Sequence, residues 1–152
     1  MANLTKGTGS VYNADVIGQN YNSTTIAVLA DTGNADADVT GWPLWKPPVA
    51  CVIKSVSVVL GTLPTVFSST ATADTIQMIV KNSGSSTTTI VDKTFTAAAG
   101  VLDAVGIYTL GAVTAVNLTA GDVVTLDITQ ANGADLAGSS ISIQIDWVAR
   151  DA

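Results

Sequence analysis

Along much of the chain, apolar and polar residues alternate one for one, the period of a β-strand rather than of a helix. The clearest stretch is SSISIQIDWVA, where Ile141, Ile143, Ile145 and Trp147 fall on one side and Ser142, Gln144 and Asp146 on the other. Alternation this strict predicts a strand with one face in a core and one in water. DVVTLDIT repeats it, with Val124, Leu126 and Ile128 inward and Thr125, Asp127 and Thr129 outward. DTIQMIVK places Ile76, Met78 and Val80 inward. Asn-Ser-Gly in KNSGSS supplies the positive φ of a tight turn, so this segment is expected to join DTIQMIVK to TTTIVDKTF as a hairpin. VACVIKSVSVVL is almost unbroken in β-branched residues and is expected to be a central strand covered on much of both faces. TTIAVLA and VGIYTL are further strands, with shorter ones around residues 37–40 and 115–118.

Eight or so strands at this spacing predict an all-β protein: a single-domain antiparallel β-sandwich or jelly roll over residues 21–152. Its core should contain Ile141, Ile143, Ile145, Val124, Leu126, Ile128, Ile76 and Met78. The one helical candidate, TAAAGVLDAVG, is broken by Gly100 and Gly106 and carries little weight. Residues 1–20 are polar and rich in Gly, Asn and Thr. They read either as a loosely docked terminus or as an extended arm that anchors on a neighbouring subunit through Val11, Tyr12, Val16 and Ile17.

Composition narrows the function classes. Charged residues make up 12% of the 152-residue chain, about half the usual fraction, while 47% are hydrophobic. All twelve acidic residues are Asp, and there is neither Glu nor His. A net charge of −6 with six scattered basic residues argues against nucleic acid and against an anionic membrane surface. No stretch approaches the length of a membrane span, and MANLTKGTGSVYNADV lacks the apolar core of a signal peptide. A Thr/Ser/Asn-rich, weakly charged chain without a secretion signal fits a protein that leaves the cell by lysis, as part of a virus particle.

Catalytic chemistry is excluded largely by inventory. Without His there is no Ser-His-Asp or Cys-His pair and no imidazole metal ligand. The single cysteine, Cys51, makes no internal disulfide and lies in an apolar run, where a buried, inert thiol is expected. No phosphate-binding glycine motif follows a strand. DTGNADAD offers Asp31, Asn34, Asp36 and Asp38 as oxygen ligands, but the calcium-loop pattern then needs a Gly and a distal Glu that are missing, so an Asx-rich turn is the expectation. The reading is a non-enzyme with no catalytic residues, no cofactor and no metal.

The run VGIYTLGAVTAVNLTAGDVVTLDITQANG, followed by SSISIQIDWV, resembles the end of trimeric jelly rolls, both tumour-necrosis-factor-like domains and many bacteriophage virion proteins. The matching residues are Gly106, Ile107, Tyr108, Leu118, Gly121, Asp122, Val124, Leu126 and Ile128. Gly121 permits a tight corner, and Asp122 is expected to cap it before the next strand. The whole-chain texture is similar to that of the capsid decoration (cement) proteins of tailed phages. That resemblance implies a homotrimer on the outer capsid, located in the virion, with the major capsid protein or another virion protein as partner. The alternative is a carbohydrate- or host-receptor-binding sandwich.

GWPLWKPP concentrates two of three tryptophans and three of four prolines in one stretch, read here as a proline-locked loop. Trp42, Pro43 and Trp45 have three readings: packing on the protein's own core, a rigid contact for a protein partner, or a stacking platform for a sugar. The sugar reading is short of clamping groups, since only Lys46, Thr40 and Asp38 are at hand.

Overall fold

The computed structural model describes residues 21–29, 38–63, 74–83, 87–96, 102, 104–113, 116–132, 134, 136 and 139–150. All the regular structure among them is β: β1 (Tyr21–Leu29), β2 (Val39–Trp45), β3 (Cys51–Thr62), β4 (Thr75–Asn82), β5 (Thr88–Thr96), β6 (Gly106–Thr109), β7 (Asn117–Leu118), β8 (Val124–Ala131) and β9 (Ser140–Ala149). One sheet runs β1-β9-β3-β6, with β7 also on β3, and the other runs β2-β8-β4-β5. All pairings are antiparallel. The first half of the chain lies against the second: β1 on β9, β2 on β8, β3 on β6 and β7, β4 on β5. The wound ribbon then closes through β3–β9 and β4–β8. This is the two-sheet jelly roll. The residues expected to form the arm, 1–20, lie outside the described residues.

The inward sets read from the sequence form the core. Ile76, Met78, Val80, Val124, Leu126, Ile128, Ile141, Ile143 and Ile145 are each at most 2% exposed. Each such side chain contributes about 1.5–3 kcal/mol by leaving water. Phe95 from β5 and Tyr108 from β6 meet edge to face across the two sheets, ring centroids 6.4 Å apart.

Three expectations are corrected. VACVIKSVSVVL is central in its sheet, but only one face is fully covered. Cys51 and Ile53 point inward, then Val56, Val58 and Leu60 do, while Val52, Ser57 and Val59 stay half-exposed. The parity changes from odd to even because the register with β9 slips between Ile53 and Ser55. A bulge inserts one residue there and exchanges the faces, so the alternation is hidden and the run looks uniformly apolar. Next, the first five residues of GWPLWKPP belong to β2 rather than to a loop. Pro43 is tolerated because β2 is an edge strand whose pairing to β8 shifts register on both sides of the Trp42–Pro43 step. Gly41, at φ 67, stands within the first of these shifts, where a left-handed backbone suits glycine. Finally, Thr125 faces outward as expected but is covered: it is buried, shares a 2.7 Å hydrogen bond with Ser83, and lies opposite Pro43.

The expected hairpin joins β4 to β5, with a register shift beyond Val80 that leaves Ile90 and Val91 buried side by side. The corner before β8 is built as its residues suggest. Gly121 adopts φ 104, and the Asp122 carboxylate accepts the Thr119 N–H at 2.8 Å and the Asn82 amide at 3.3 Å.

Candidate functional site

β2 brings the tryptophans to one end of the sandwich. Trp42 stands opposite Leu126 and Trp45 opposite Val124, and both rings pack partly buried against the core, with Leu44 buried beside them. Trp45 meets Trp147 of β9 with ring centroids 5.3 Å apart and planes tilted by 40°. Trp147 also donates its indole N–H to the Thr24 hydroxyl at 3.1 Å. Large rings are therefore used where the two sheets meet, and that packing occupies part of each ring. Pro43 and Lys46 are exposed, and Trp42 and Trp45 keep part of their surface outside. Val11, Tyr12, Val16 and Ile17 lie outside the described residues.

The outer faces of the two sheets differ. On β2-β8-β4-β5, Lys81 and Asp127 form an ion pair, Asp127 also accepts the Gly41 N–H at 2.7 Å, and Gln77 donates to Asp92 at 2.8 Å. Partial burial pushes the Asp127 carboxyl up, but the hydrogen bonds from Lys81 and Gly41 and the Lys81 charge together hold it below its ordinary value. This face is charged: Lys81 offsets Asp127, while Asp92 is met by the neutral Gln77 amide.

The outer face of β1-β9-β3-β6 is made mostly of short side chains, with the exposed Lys54 at the β3 bulge. Register places Ser23, Asp146 and Ser55 in one row, Thr25, Gln144, Ser57 and Thr109 in the next, then Ser142, Val59 and Ile107. Asp146 is the only acid in these rows. It accepts from Ser55 at 2.5 Å and from Gln144 at 3.2 Å. Its burial acts upward, but hydrogen bonds from Ser55, Ser23 and Gln144 together keep the carboxyl below its ordinary value. Large apolar groups gather at the β6 edge, where Ile107 is 66% and Val105 63% exposed. The tryptophan stretch drew attention in the sequence and this face did not. Its signal was present as the polar half of the alternation, where Ser, Thr and Gln stand in place of charges.

Of the acidic segment, Asp38 accepts the Gln130 N–H at 2.9 Å, the behaviour of a turn residue. Asp31, Asn34 and Asp36 lie outside the described residues. Among the described residues no group of three His, Cys, Asp or Glu is placed to hold a metal, and no helix is long and apolar enough to cross a membrane. Cys51 is fully buried, and burial pushes its thiol up, with Arg150 acting downward and Asp122 upward. That environment suppresses the thiolate a nucleophile needs.

No family model matches the sequence, and comparison with curated proteins returns no significant match. Among solved structures the fold is similar to a chain of the cyanophage Pam1 capsid asymmetric unit, with a TM-score of 0.52, 17% identity and 86% of each chain covered. A looser likeness, with a TM-score of 0.39 and 10% identity, is to a chain in the structure of infectious bursal disease virus Gx strain, over 86% of this chain and 32% of that one. The first likeness, over 86% of the chain, agrees with the fold: an antiparallel two-sheet jelly roll.

Proposed function

We propose that the chain is a non-enzymatic structural protein of a virion, specifically a capsid decoration (cement) protein of a tailed phage. In this reading it sits as a homotrimer on the outer capsid and braces the major capsid protein beneath. The observation that supports the reading is the two-sheet sandwich, similar in fold to a chain of a cyanophage capsid asymmetric unit over 86% of both lengths. Composition supports it. A chain with no His, no Glu and one fully buried Cys has few groups for catalysis, and its weakly charged surface favours symmetric association.

Residues 1–20 serve as the arm in this account, reaching a neighbouring subunit or the capsid with Val11, Tyr12, Val16 and Ile17 as anchors. The exposed Pro43 and the outward parts of Trp42 and Trp45 add a rigid contact at the β2 edge. The carbohydrate- or receptor-binding alternative needs an aromatic platform free to stack on a ring, whereas Trp45 is already engaged with Trp147. The test is co-sedimentation of the purified protein with capsids that lack it. Binding that weakens when residues 2–20 are deleted, with the β-rich circular-dichroism spectrum unchanged, supports the reading. A full-length protein that stays in the supernatant, or one that gives clear saccharide hits on a glycan array instead, overturns it.

A further inference from the structure

We infer that the outer face of the β1-β9-β3-β6 sheet, with the β6 edge beside it, is the surface each copy gives to a second copy of this chain. The inference rests on the virion reading only in taking the assembled protein as the working form. Three observations lead to it.

The first is electrostatic. Two copies of a chain with a net charge of −6 repel unless they meet where charge is sparse. The opposite outer face carries Lys81, Asp92 and Asp127. The rows of this one hold a single carboxylate, Asp146, with hydrogen bonds from Ser55 and Gln144 already in place, and the β3 bulge adds one exposed cation, Lys54, beside Ser55. Covering a carboxylate that keeps its partners costs far less than stripping one that depends on water.

The second is area. Strands of nine, ten and twelve residues, with β6 and β7 in a fourth lane, present roughly 600 Å² at about 4.8 Å per lane and 3.3 Å per residue. That reaches the lower bound of about 600 Å² per partner for a specific interface. Most of the side chains in the rows are Ser and Thr, so a neighbour can approach closely over much of the face.

The third is the placement of apolar surface. Ile107 and Val105 are the most exposed large hydrophobic residues described, and they stand at the edge of this face, Ile107 opposite the half-buried Val59. Apolar groups beside a hydroxyl-rich, sparsely charged plane suit an interface better than open water.

Sedimentation velocity tests the inference with full-length protein from nanomolar to micromolar concentration. Wild type is expected to be oligomeric. Ser57→Asp and Ile107→Asp should each raise the dissociation constant at least about tenfold, because every copy then brings a new negative charge into the contact. Thr94→Asp, on the exposed outer side of β5 in the other sheet, should leave it unchanged. Thr25→Asp repeats the test on β1, so a fold loss in one variant, detected by circular dichroism, does not remove the readout. A monomeric wild type, or face variants that associate like wild type, overturns the inference. Wild type that binds capsids as a monomer, with binding lost in Ser57→Asp, assigns the face to the capsid instead and also overturns it. An oligomer broken by these variants that ignores capsids leaves this inference standing and removes the virion reading.

Discussion

Trp45 of β2 and Trp147 of β9 meet with ring centroids 5.3 Å apart, joining the two sheets at one end of the sandwich. Trp147 is 9% exposed and tied to Thr24 by its indole N–H. Replacing it with Ala should cost about 3–5 kcal/mol, the range for a buried aromatic removed from a core. In a double-mutant cycle, the Trp45–Trp147 pair should show a coupling of about 0.5–1.5 kcal/mol. Urea unfolding of the two single variants and the double variant measures both quantities.

The parity change in β3 makes a sharper prediction, because neighbouring residues should behave in opposite ways. Leu60, 1% exposed, follows the even phase set by the bulge. Leu60→Ala should cost about 2–5 kcal/mol, while Val59→Ala, on the half-exposed outer face, should cost less than about 1 kcal/mol. Equal losses at the two positions would contradict the register.

Gly121 stands at φ 104, which a side chain rarely adopts, and Asp122 accepts the Thr119 N–H in the same corner. Gly121→Ala should destabilise by about 1–3 kcal/mol through backbone strain, although the space around the new methyl is open. Asp122→Ala should cost a similar amount by removing a charge-assisted hydrogen bond. Thermal unfolding at neutral pH reads both.

These residues also mark how far the sequence could be read. β8 and β9 were legible because their alternation is uninterrupted and each keeps one face in the core, and the Gly121-Asp122 corner announced itself by residue type. β3 was harder because one inserted residue superimposes two opposite phases, which a period-two reading cannot separate. β2 was missed beyond Thr40 because Pro43 argues against a strand unless the strand is known to be an edge, and edge position is a property of the assembled sheet. Leu102, buried at φ 66, gave no signal, since its conformation depends on the packing around it. The hydroxyl-rich outer face was written in the sequence, but only pairing of β1, β9, β3 and β6 brings its hydroxyls together.

The response to pH follows from the acids. Asp127 and Asp146 both titrate below their ordinary range, so their contribution to stability is fully present above the unfolded value of about 3.9 and is lost as pH falls through the depressed folded values. The chain has no histidine, the side chain that titrates near neutrality. The melting temperature should therefore be flat from pH 6 to 8 and fall below about pH 4. Asp127→Asn should flatten the acid limb. A midpoint that changes steeply near pH 6.5 would contradict this assignment.

The central claim is that this jelly roll is a component of a virus particle. Quantitative mass spectrometry of purified virions from the source tests it most directly. The account predicts the chain in the particle at a fixed ratio to the major capsid protein, and its release from the outer surface before the shell opens. Its absence from purified particles, with the protein recovered only from the soluble lysate, would contradict the account.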